Sequence, residues 1–329
     1  MIKQLIKNII AATAGTLGWS LVKRGDKKLI VLMYHRVLPV TDARYQREEP
    51  GMVVSETTFA MHMQTLKDEN LPVMTVSDWL AQPESAKAPL TIAITFDDGW
   101  LDNYEYAFPV LKQFGFPSTL YVVTDFLGQP APFWPNKVLT LLLSPEATIT
   151  PEWQALLKLT GEDIKVPMSR DAAAEVIDKL KQHSDHEIYQ ALKPIPAATN
   201  VPVEMISLEQ LLDAKHNMQV EVGCHTRRHY RLKESLSGAQ LVEEVVEAKD
   251  ILEQKTGTKV TTFCFPNGDF SKEAHQLVSQ HYDAAVTTMR GINTLKNLSP
   301  HSLLRIGVHN DISDTPLKFK AKLSNFGRS

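Results

Sequence analysis

Short apolar runs alternate with helix-like patterns along most of the chain. The runs have the length of buried strands and are rich in β-branched and aromatic residues. They cover residues 29–34, 90–96, 118–123, 220–224, 260–265, 284–287 and 303–308. Between them, apolar residues recur every three or four positions, as in residues 57–66 and 237–257, which predicts helices. This alternation favours an α/β fold with a parallel sheet, either open or closed into a barrel.

Residues 130–217 interrupt the alternation, because they show helical patterns and several prolines but no clear strand. We interpret them as a helical insertion that caps the barrel within a single domain, residues 25–329. Nearer the strands, Asp102 is predicted to cap a helix that runs to about residue 114 and that Gly115 ends. Residues 42–49 mix acidic and basic side chains, so we expect a solvated loop there.

Residues 1–24 have a different character from the rest of the chain. Apolar side chains recur at helical spacing at Ile2, Leu5, Ile6, Ile9 and Ile10. Lys3 and Lys7 lie on the other side of that helix, and Trp19 with the cations after it can act as anchors. The pattern favours an amphipathic helix at a membrane surface, on either side of the membrane. A signal peptide, a spanning helix and a helix packed on the protein's own body are the alternatives.

The composition is that of an ordinary globular protein, with 43% hydrophobic and 22% charged residues. The formal net charge of −3 shows no basic excess, so we expect no nucleic-acid partner. The only cysteines are Cys224 and Cys264, which gives neither a disulfide framework nor a C-x-x-C zinc knuckle. We interpret both as small buried residues, with a regulatory disulfide or metal ligation as the alternative.

Two adjacent carboxylates follow the strand of residues 90–96, in the motif T-F-D-D-G from Thr95 to Gly99. One carboxylate can bind a metal ion while the other accepts a proton from water, and the glycine lets the backbone turn sharply. An Asp-Gly turn with a capping aspartate is an equally common use of this pair. The motif alone leaves both interpretations open.

Two histidines follow the strand of residues 220–224, in H-T-R-R-H from His225 to His229. Histidines four apart can reach one ion from a helical turn or a tight loop, although two unrelated surface histidines would look the same. Two imidazoles and one carboxylate leave positions open for water and substrate, which is typical of a catalytic ion. Zinc suits this ligand set, with cobalt, nickel and iron as alternatives.

T-F-D-D-G, H-T-x-x-H and the later F-x-x-P-x-G resemble the motifs of polysaccharide deacetylases with the NodB-homology domain, the fourth carbohydrate esterase family. The resemblance covers about residues 29–310 outside the insertion. It implies a distorted (β/α) barrel of the NodB type and metal-dependent hydrolysis of an N-acetyl group on a glycan or glycolipid. The implied roles are general base for Asp97, metal ligands for Asp98, His225 and His229, and an oxyanion-stabilising backbone N–H for Asn267.

The acid that protonates the leaving amine is a separate question. M-Y-H-R-V, residues 33–37, is similar to the N-terminal motif of a permuted branch that includes poly-N-acetylglucosamine deacetylases. That similarity points to His35 as the acid. His309, in R-I-G-V-H-N, is the alternative, because it also follows a strand and lies near the usual late position in the family.

The third motif departs from the family pattern. It reads F-C-F-P-N-G, with Cys264 where the family often has an arginine that orients the base. Arg305, at the end of the last strand, is our candidate replacement, and a structural arginine is the alternative. Aromatic residues considered as sugar-stacking faces, or else as core, are Trp100, Tyr104, Phe133 and Trp134.

The leading hypothesis is therefore a metal-dependent hydrolase that removes N-acetyl groups from N-acetylhexosamine units of a polysaccharide or lipid-linked glycan. A C–N hydrolase acting on a non-sugar amide is a second hypothesis. A glycan-binding pseudoenzyme is a third, and the cysteine in the arginine position is its main support.

Overall fold

The structure is a computed structural model that describes residues 13–130, 133–195, 202–233 and 235–325. Its strands are β1 (Lys28–Tyr34), β2 (Arg36–Leu38), β3 (Val53–Ser55), β4 (Leu90–Phe96), β5 (Ser118–Val122), β6 (Val220–Cys224), β7 (Thr262–Cys264), β8 (Ala284–Arg290), β9 (Asn293–Thr294) and β10 (Leu303–Gly307). Each predicted strand is present, and β7 is shorter than predicted while β8 is longer.

Seven parallel strands close into a barrel in the order β10, β8, β7, β6, β5, β4 and β1. Closure comes from the pairing of β1 with β10, in which Val31 lies opposite Arg305. The short strand β9 adds antiparallel to the start of β1, and β2 and β3 form a separate parallel pair. Every residue of β4 is buried, as expected for a strand with side chains filling the barrel on one face and helices on the other. The predicted (β/α) barrel is confirmed in its closed form.

Helices surround the barrel and connect its strands. The α-helices are Trp19–Val22, Ala43–Gln46, Glu56–Asp68, Val76–Ala81, Phe108–Phe114, Trp134–Leu143, Pro151–Leu157, Arg170–Leu180, Asp185–Leu192, Leu208–Asn217, Gly238–Val242, Ala248–Thr256, Lys272–His281, Asn310–Ser313 and Pro316–Leu323. Segments of π-helix cover Ala14–Gly18, Asn103–Ala107 and Glu243–Glu247, and 3-10 turns cover Pro50–Met52, Glu84–Ala86, Thr124–Phe126, Lys158–Thr160 and Pro266–Gly268.

The predicted helix ends are correct with one exception. Ser237 and Gln240 form a capping box, and Gly115 and Gly257 end their helices in the left-handed conformation. The prediction that Asp102 is a helix N-cap is wrong, because its backbone is helical and its side chain makes no capping hydrogen bond. The Asp102 carboxylate is used elsewhere, as described below.

The helices between Trp134 and Leu192 have their own cluster of buried side chains, which includes Val138, Ile177 and Leu180. This cluster is held to the barrel by polar contacts, of which the Asp185 carboxylate with the backbone and guanidinium N–H groups of Arg231 is the most buried. The helix Leu208–Asn217, which lies within the predicted range 130–217, instead shares the main core with β6.

Residues 1–12 of the predicted N-terminal helix lie outside the described residues. From Ala14 to Val22 the chain is helical and packs against the helix Pro316–Leu323 near the C-terminus. Trp19 is only 3% exposed, so its predicted role as a membrane anchor is wrong. Among the described segments, no helix has the length and apolar character needed to cross a bilayer.

Candidate metal centre and active site

The ends of the barrel strands place the predicted residues at one edge. His35 follows β1, Asp97 and Asp98 follow β4, and His225 follows β6. Because parallel strands end at the same rim of a barrel, side chains that are far apart in sequence meet there. The structure brings these four residues together.

Asp98, His225 and His229 form one compact cluster. The Nε2 atoms of both histidines lie 3.4 Å from the same oxygen, Oδ1 of Asp98. Nδ1 of His225 donates to the carbonyl oxygen of Cys264 at 2.8 Å, which fixes the tautomer and leaves Nε2 free to bind a metal. Two imidazole nitrogens and one carboxylate oxygen facing a common point fit a divalent ion such as zinc.

The backbone around this cluster adopts conformations that L residues rarely adopt. Asp98, Thr226 and His229 have φ of 77°, 65° and 63°. Such residues cost about 1–3 kcal/mol each and persist only where the surroundings enforce them. One such restraint is the His229 N–H, which donates to Thr226 Oγ1 at 2.9 Å, and another is the buried Glu244 carboxylate, which accepts backbone N–H groups of the same loop. Two of the three candidate ligands, Asp98 and His229, are therefore held in strained backbone conformations.

The electrostatics of the cluster favour the cation-binding forms of Asp98 and His229. At His225, burial is outweighed by interactions with Cys264 and Asp98 that raise the pKa of the imidazole, so a metal ion would have to displace a proton there. Burial opposes the charging of Asp98, but hydrogen bonding from His225 holds the pKa of this carboxyl below its usual value. Burial, together with the nearby His225, lowers the pKa of His229 to about 4. At neutral pH His229 is therefore a neutral imidazole and Asp98 a carboxylate, as metal binding requires.

Asp97 lies beside this cluster and is bound by a buried arginine. Both guanidinium NH groups of Arg305 donate to the two carboxylate oxygens of Asp97 at 2.7 Å, and Arg305 also reaches the sulfur of Cys264 at 3.2 Å. Burial alone would raise the pKa of Asp97, but the Arg305 charge holds it below its usual value. Arg305, the residue of β10 considered as a replacement for the arginine missing from the third motif, therefore lies in direct contact with Asp97.

A second set of potential ligand atoms comes from Asp97, His225 and Cys264. This set is the poorer metal site for two reasons. Both oxygens of Asp97 are already paired with Arg305, and burial raises the pKa of the Cys264 thiol, which keeps it protonated. We therefore assign the candidate metal to the cluster of Asp98.

Both candidate acids lie near the site. Nε2 of His35 is 3.7 Å from Oδ2 of Asp97. Nδ1 of His309 is 3.7 Å from Asp311 and has no hydrogen-bond partner in the part of the chain that the structure describes. Burial lowers the pKa of His309.

A buried network behind Asp98 was not among the features predicted from the sequence. The indole N–H of Trp100 donates to Asp98 Oδ2 at 2.9 Å, which leaves Oδ1 facing the histidines. The guanidinium carbon of Arg36 lies 4.0 Å from the centroid of the Trp100 ring. Trp100 is therefore a structural partner of Asp98, a candidate metal ligand.

Three carboxylates hold Arg36 in place. Its nitrogens lie 2.9–3.1 Å from oxygens of Asp102, Glu48 and Glu204, and all four side chains are buried or nearly so. Glu48 was expected in a solvated loop, and that prediction is wrong because the Glu48 side chain turns inward to Arg36. The one sequence feature that could have indicated this network is the dense group of charged residues at positions 42–49, close to His35.

Asn267 and the aromatic candidates have different outcomes. Asn267 follows β7 in the turn Pro266–Gly268 with φ of 55°, at the same rim as the cluster. Trp100, Phe133 and Trp134 are at most 5% exposed, so the hypothesis that they present faces to sugar rings is wrong. Phe133 instead packs edge-on against the His229 ring, with centroids 5.0 Å apart.

A cavity of about 1300 Å³ is lined by residues of the insertion and of the loops at residues 36–48, 125–130 and 202–204, and none of Asp97, Asp98, His225 and His229 is in its wall. Its wall includes Arg36, Phe126, Trp153 and Tyr230, and Tyr230 directly follows His229 in the chain. The volume exceeds the roughly 300–1,000 Å³ typical of small-molecule pockets. It is large enough for an extended ligand.

The chain is similar in sequence to one family of known proteins. A family model described as polysaccharide deacetylase matches residues 84–284, more than half of the chain. A Bacillus subtilis protein named as a polysaccharide deacetylase is 32% identical over 103 residues, 31% of this chain and 34% of its own length. The poly-beta-1,6-N-acetyl-D-glucosamine N-deacetylase of Staphylococcus epidermidis is 30% identical over 115 residues, 32% of this chain and 40% of its own length. The matched region thus spans about a third to two-fifths of these relatives.

The fold is also found among solved structures. A polysaccharide deacetylase from Bacillus cereus superposes with a TM-score of 0.60 at 18% identity, covering 91% of this chain and 69% of that one. At this level of identity the likeness establishes a shared fold.

Proposed function

The chain belongs to the polysaccharide deacetylase family, and from this membership we propose that it is a metal-dependent hydrolase of N-acetyl groups on N-acetylhexosamine units of a glycan. The observation that carries the proposal is the convergence of Asp98, His225 and His229 beside the paired Asp97 and Arg305. A metal ligand set and a proton acceptor that lie side by side provide what amide hydrolysis requires.

A divalent ion held by Asp98, His225 and His229 would polarise the acetyl carbonyl and activate a water molecule. Asp97 is the proposed general base, since it is ionised and faces the cluster. The two hydrogen bonds from Arg305 fix the carboxylate plane and prevent it from rotating into the metal position. Arg305 therefore acts as a positioning residue.

Two further groups are needed: an acid that protonates the leaving amine and a hydrogen-bond donor to the oxyanion. His35 is the proposed acid for the leaving amine, because its Nε2 lies near Asp97 at the end of β1. The backbone N–H of Asn267 is the proposed donor to the developing oxyanion, in a left-handed turn at the same rim. The cysteine at position 264 was the main support for a pseudoenzyme, because without an arginine there the base would not be oriented. Arg305 contacts Asp97 and provides an arginine partner, so this support is lost.

We propose a β-linked poly-N-acetylglucosamine or a lipid-linked glycan as the substrate class, with zinc as the metal. Support for the sugar comes from the name of the staphylococcal relative, and support for an extended substrate comes from the large cavity beside Tyr230. Support for zinc comes from the two-histidine, one-carboxylate ligand set.

Acetate release tests the proposal. Purified protein, stripped of metal and reloaded with zinc, is assayed on N-acetylglucosamine oligomers of β-1,6 and β-1,4 linkage. We expect release that Asp97→Asn and His225→Ala abolish, while His216→Ala, which changes an exposed histidine on the helix Leu208–Asn217, leaves it unchanged. Glycan binding without acetate release under any divalent metal would show that the protein is a binding module.

A further inference from the structure

We propose that the two ends of the chain form one basic and apolar surface that docks the protein onto an anionic lipid membrane. We call this the terminal surface and define it as the exposed side of residues 14–24 together with the helix Pro316–Leu323. The terminal surface is independent of the catalytic proposal, since it contains none of the cluster residues Asp98, His225 and His229.

The terminal surface carries exposed apolar side chains on both of its segments. Leu17 and Leu21, one helical turn apart, are 67% and 58% exposed, and Leu317 is 36% exposed. The two segments are in close contact, because a Cβ atom on Gly15 would lie 2.4 Å from the carbonyl oxygen of Leu317. These leucines are three of the seven large apolar residues that are exposed in the described part of the chain. Clustering of this kind marks an interaction site, whereas single exposed leucines do not.

The charge of the two chain ends is opposite to that of the rest. Residues 1–28 contain six Lys or Arg and one Asp, and residues 315–329 contain four Lys or Arg and no acidic residue. The other 286 residues carry 25 basic and 37 acidic side chains. A net charge of −3 therefore conceals a strongly basic pair of termini on an acidic body.

The basic residues border the apolar part. Lys23 and Lys320 both pair with Glu69, so cations from the two chain ends meet at one point. Arg24 has no carboxylate partner among the residues described, and its side chain is exposed. Leucines bordered by Lys and Arg are the pattern of a surface that inserts shallowly among anionic headgroups.

The position of the terminal surface is compatible with catalysis on an extended glycan. Glu69 follows the helix Glu56–Asp68, at the barrel end where β1 and β4 begin, whereas Asp98 lies just beyond the end of β4. Docking through this surface therefore puts the membrane at the barrel end opposite the candidate site.

Vesicle co-sedimentation of the full chain tests the proposal. The probes are vesicles of phosphatidylcholine alone and of phosphatidylcholine with about 30% phosphatidylglycerol. We expect binding to the anionic vesicles that falls sharply at about 1 M salt, where the Debye length is about 3 Å. The double variant Leu17→Ser, Leu21→Ser should lower the partition coefficient by about tenfold or more.

A matched control removes two exposed apolar side chains elsewhere. Val242 and Met289 are 42% and 46% exposed and lie outside the terminal surface. The double variant Val242→Ser, Met289→Ser should bind vesicles like the unchanged protein, and all three proteins should show the same thermal unfolding. No binding to anionic vesicles, or equal loss in both double variants, would overturn the proposal. Dimerisation that is lost in the Leu17, Leu21 variant, without lipid binding, would instead assign the surface to a second copy of the chain.

Discussion

Replacing Trp100 by Phe is the most informative single change near the candidate metal ligands. The variant keeps an aromatic ring beneath Arg36 but removes the indole N–H that donates to Asp98 Oδ2 at 2.9 Å. A hydrogen bond to a charged group contributes about 1.5–3 kcal/mol. Loss of a partner that orients a metal ligand typically weakens metal affinity by about 10- to 100-fold, or about 1.4–2.8 kcal/mol. The two ranges agree, so we expect zinc affinity to fall by about one to two orders of magnitude.

Competition with a chromogenic zinc chelator near neutral pH measures this affinity without requiring turnover. Trp79→Phe is the matched control, because Trp79 is also fully buried but its indole N–H has no hydrogen-bond partner among the described residues. Both variants lose the same atoms, and only Trp100→Phe loses a bond to a ligand. If Trp100→Phe binds zinc as tightly as the unchanged protein, or if Trp79→Phe weakens binding equally, the indole N–H of Trp100 does not support zinc binding through Asp98.

Three further predictions concern buried charges and histidines. Arg305→Met should lower the free energy of unfolding by about 3–5 kcal/mol in urea denaturation, because the Asp97 carboxylate stays buried without its cation; adding Asp97→Asn should recover part of that loss, and no recovery would contradict the pairing. His35→Ala should reduce acetate release far more than His309→Ala if His35 is the acid, and the reverse order would assign that role to His309. Burial lowers the pKa of His62 to about 4, below the unfolded value of about 6.5. Because the unfolded chain takes up the proton first as the pH falls, the free energy of unfolding should decrease by about 3 kcal/mol from pH 6.5 to 4. His62→Gln should remove this part of the pH dependence of urea unfolding.

The features predicted from the sequence are those that depend on local patterns. Strand ends can be located from apolar runs, and parallel strands bring their ends to one rim, so the sequence alone places Asp97, Asp98 and His225 together. Arg305 could be proposed for the same reason, because it lies near the end of the last strand, and the closing pair of β1 with β10 brings it beside Asp97.

The features that were missed depend on contacts between distant parts of the chain. Arg36 and Glu204 are 168 positions apart, and no local pattern indicates that they form an ion pair. Glu48 was expected to be solvated because charged segments usually are, yet its partner Arg36 lies in the interior. Trp100 was considered for sugar binding because aromatic residues near motifs often serve that purpose, and only its burial identifies it as support for Asp98.

Titration of the metal-free protein with zinc, followed by acetate release from N-acetylglucosamine oligomers, is the sharpest test of metal-dependent catalysis by this site. If Asp98, His225 and His229 hold a catalytic ion, activity should rise from the background to a plateau at one zinc per chain, and His229→Ala should stay at the background over the same range. Acetate release that is equal with and without metal, or that survives in His229→Ala at one zinc per chain, would contradict the proposed mechanism.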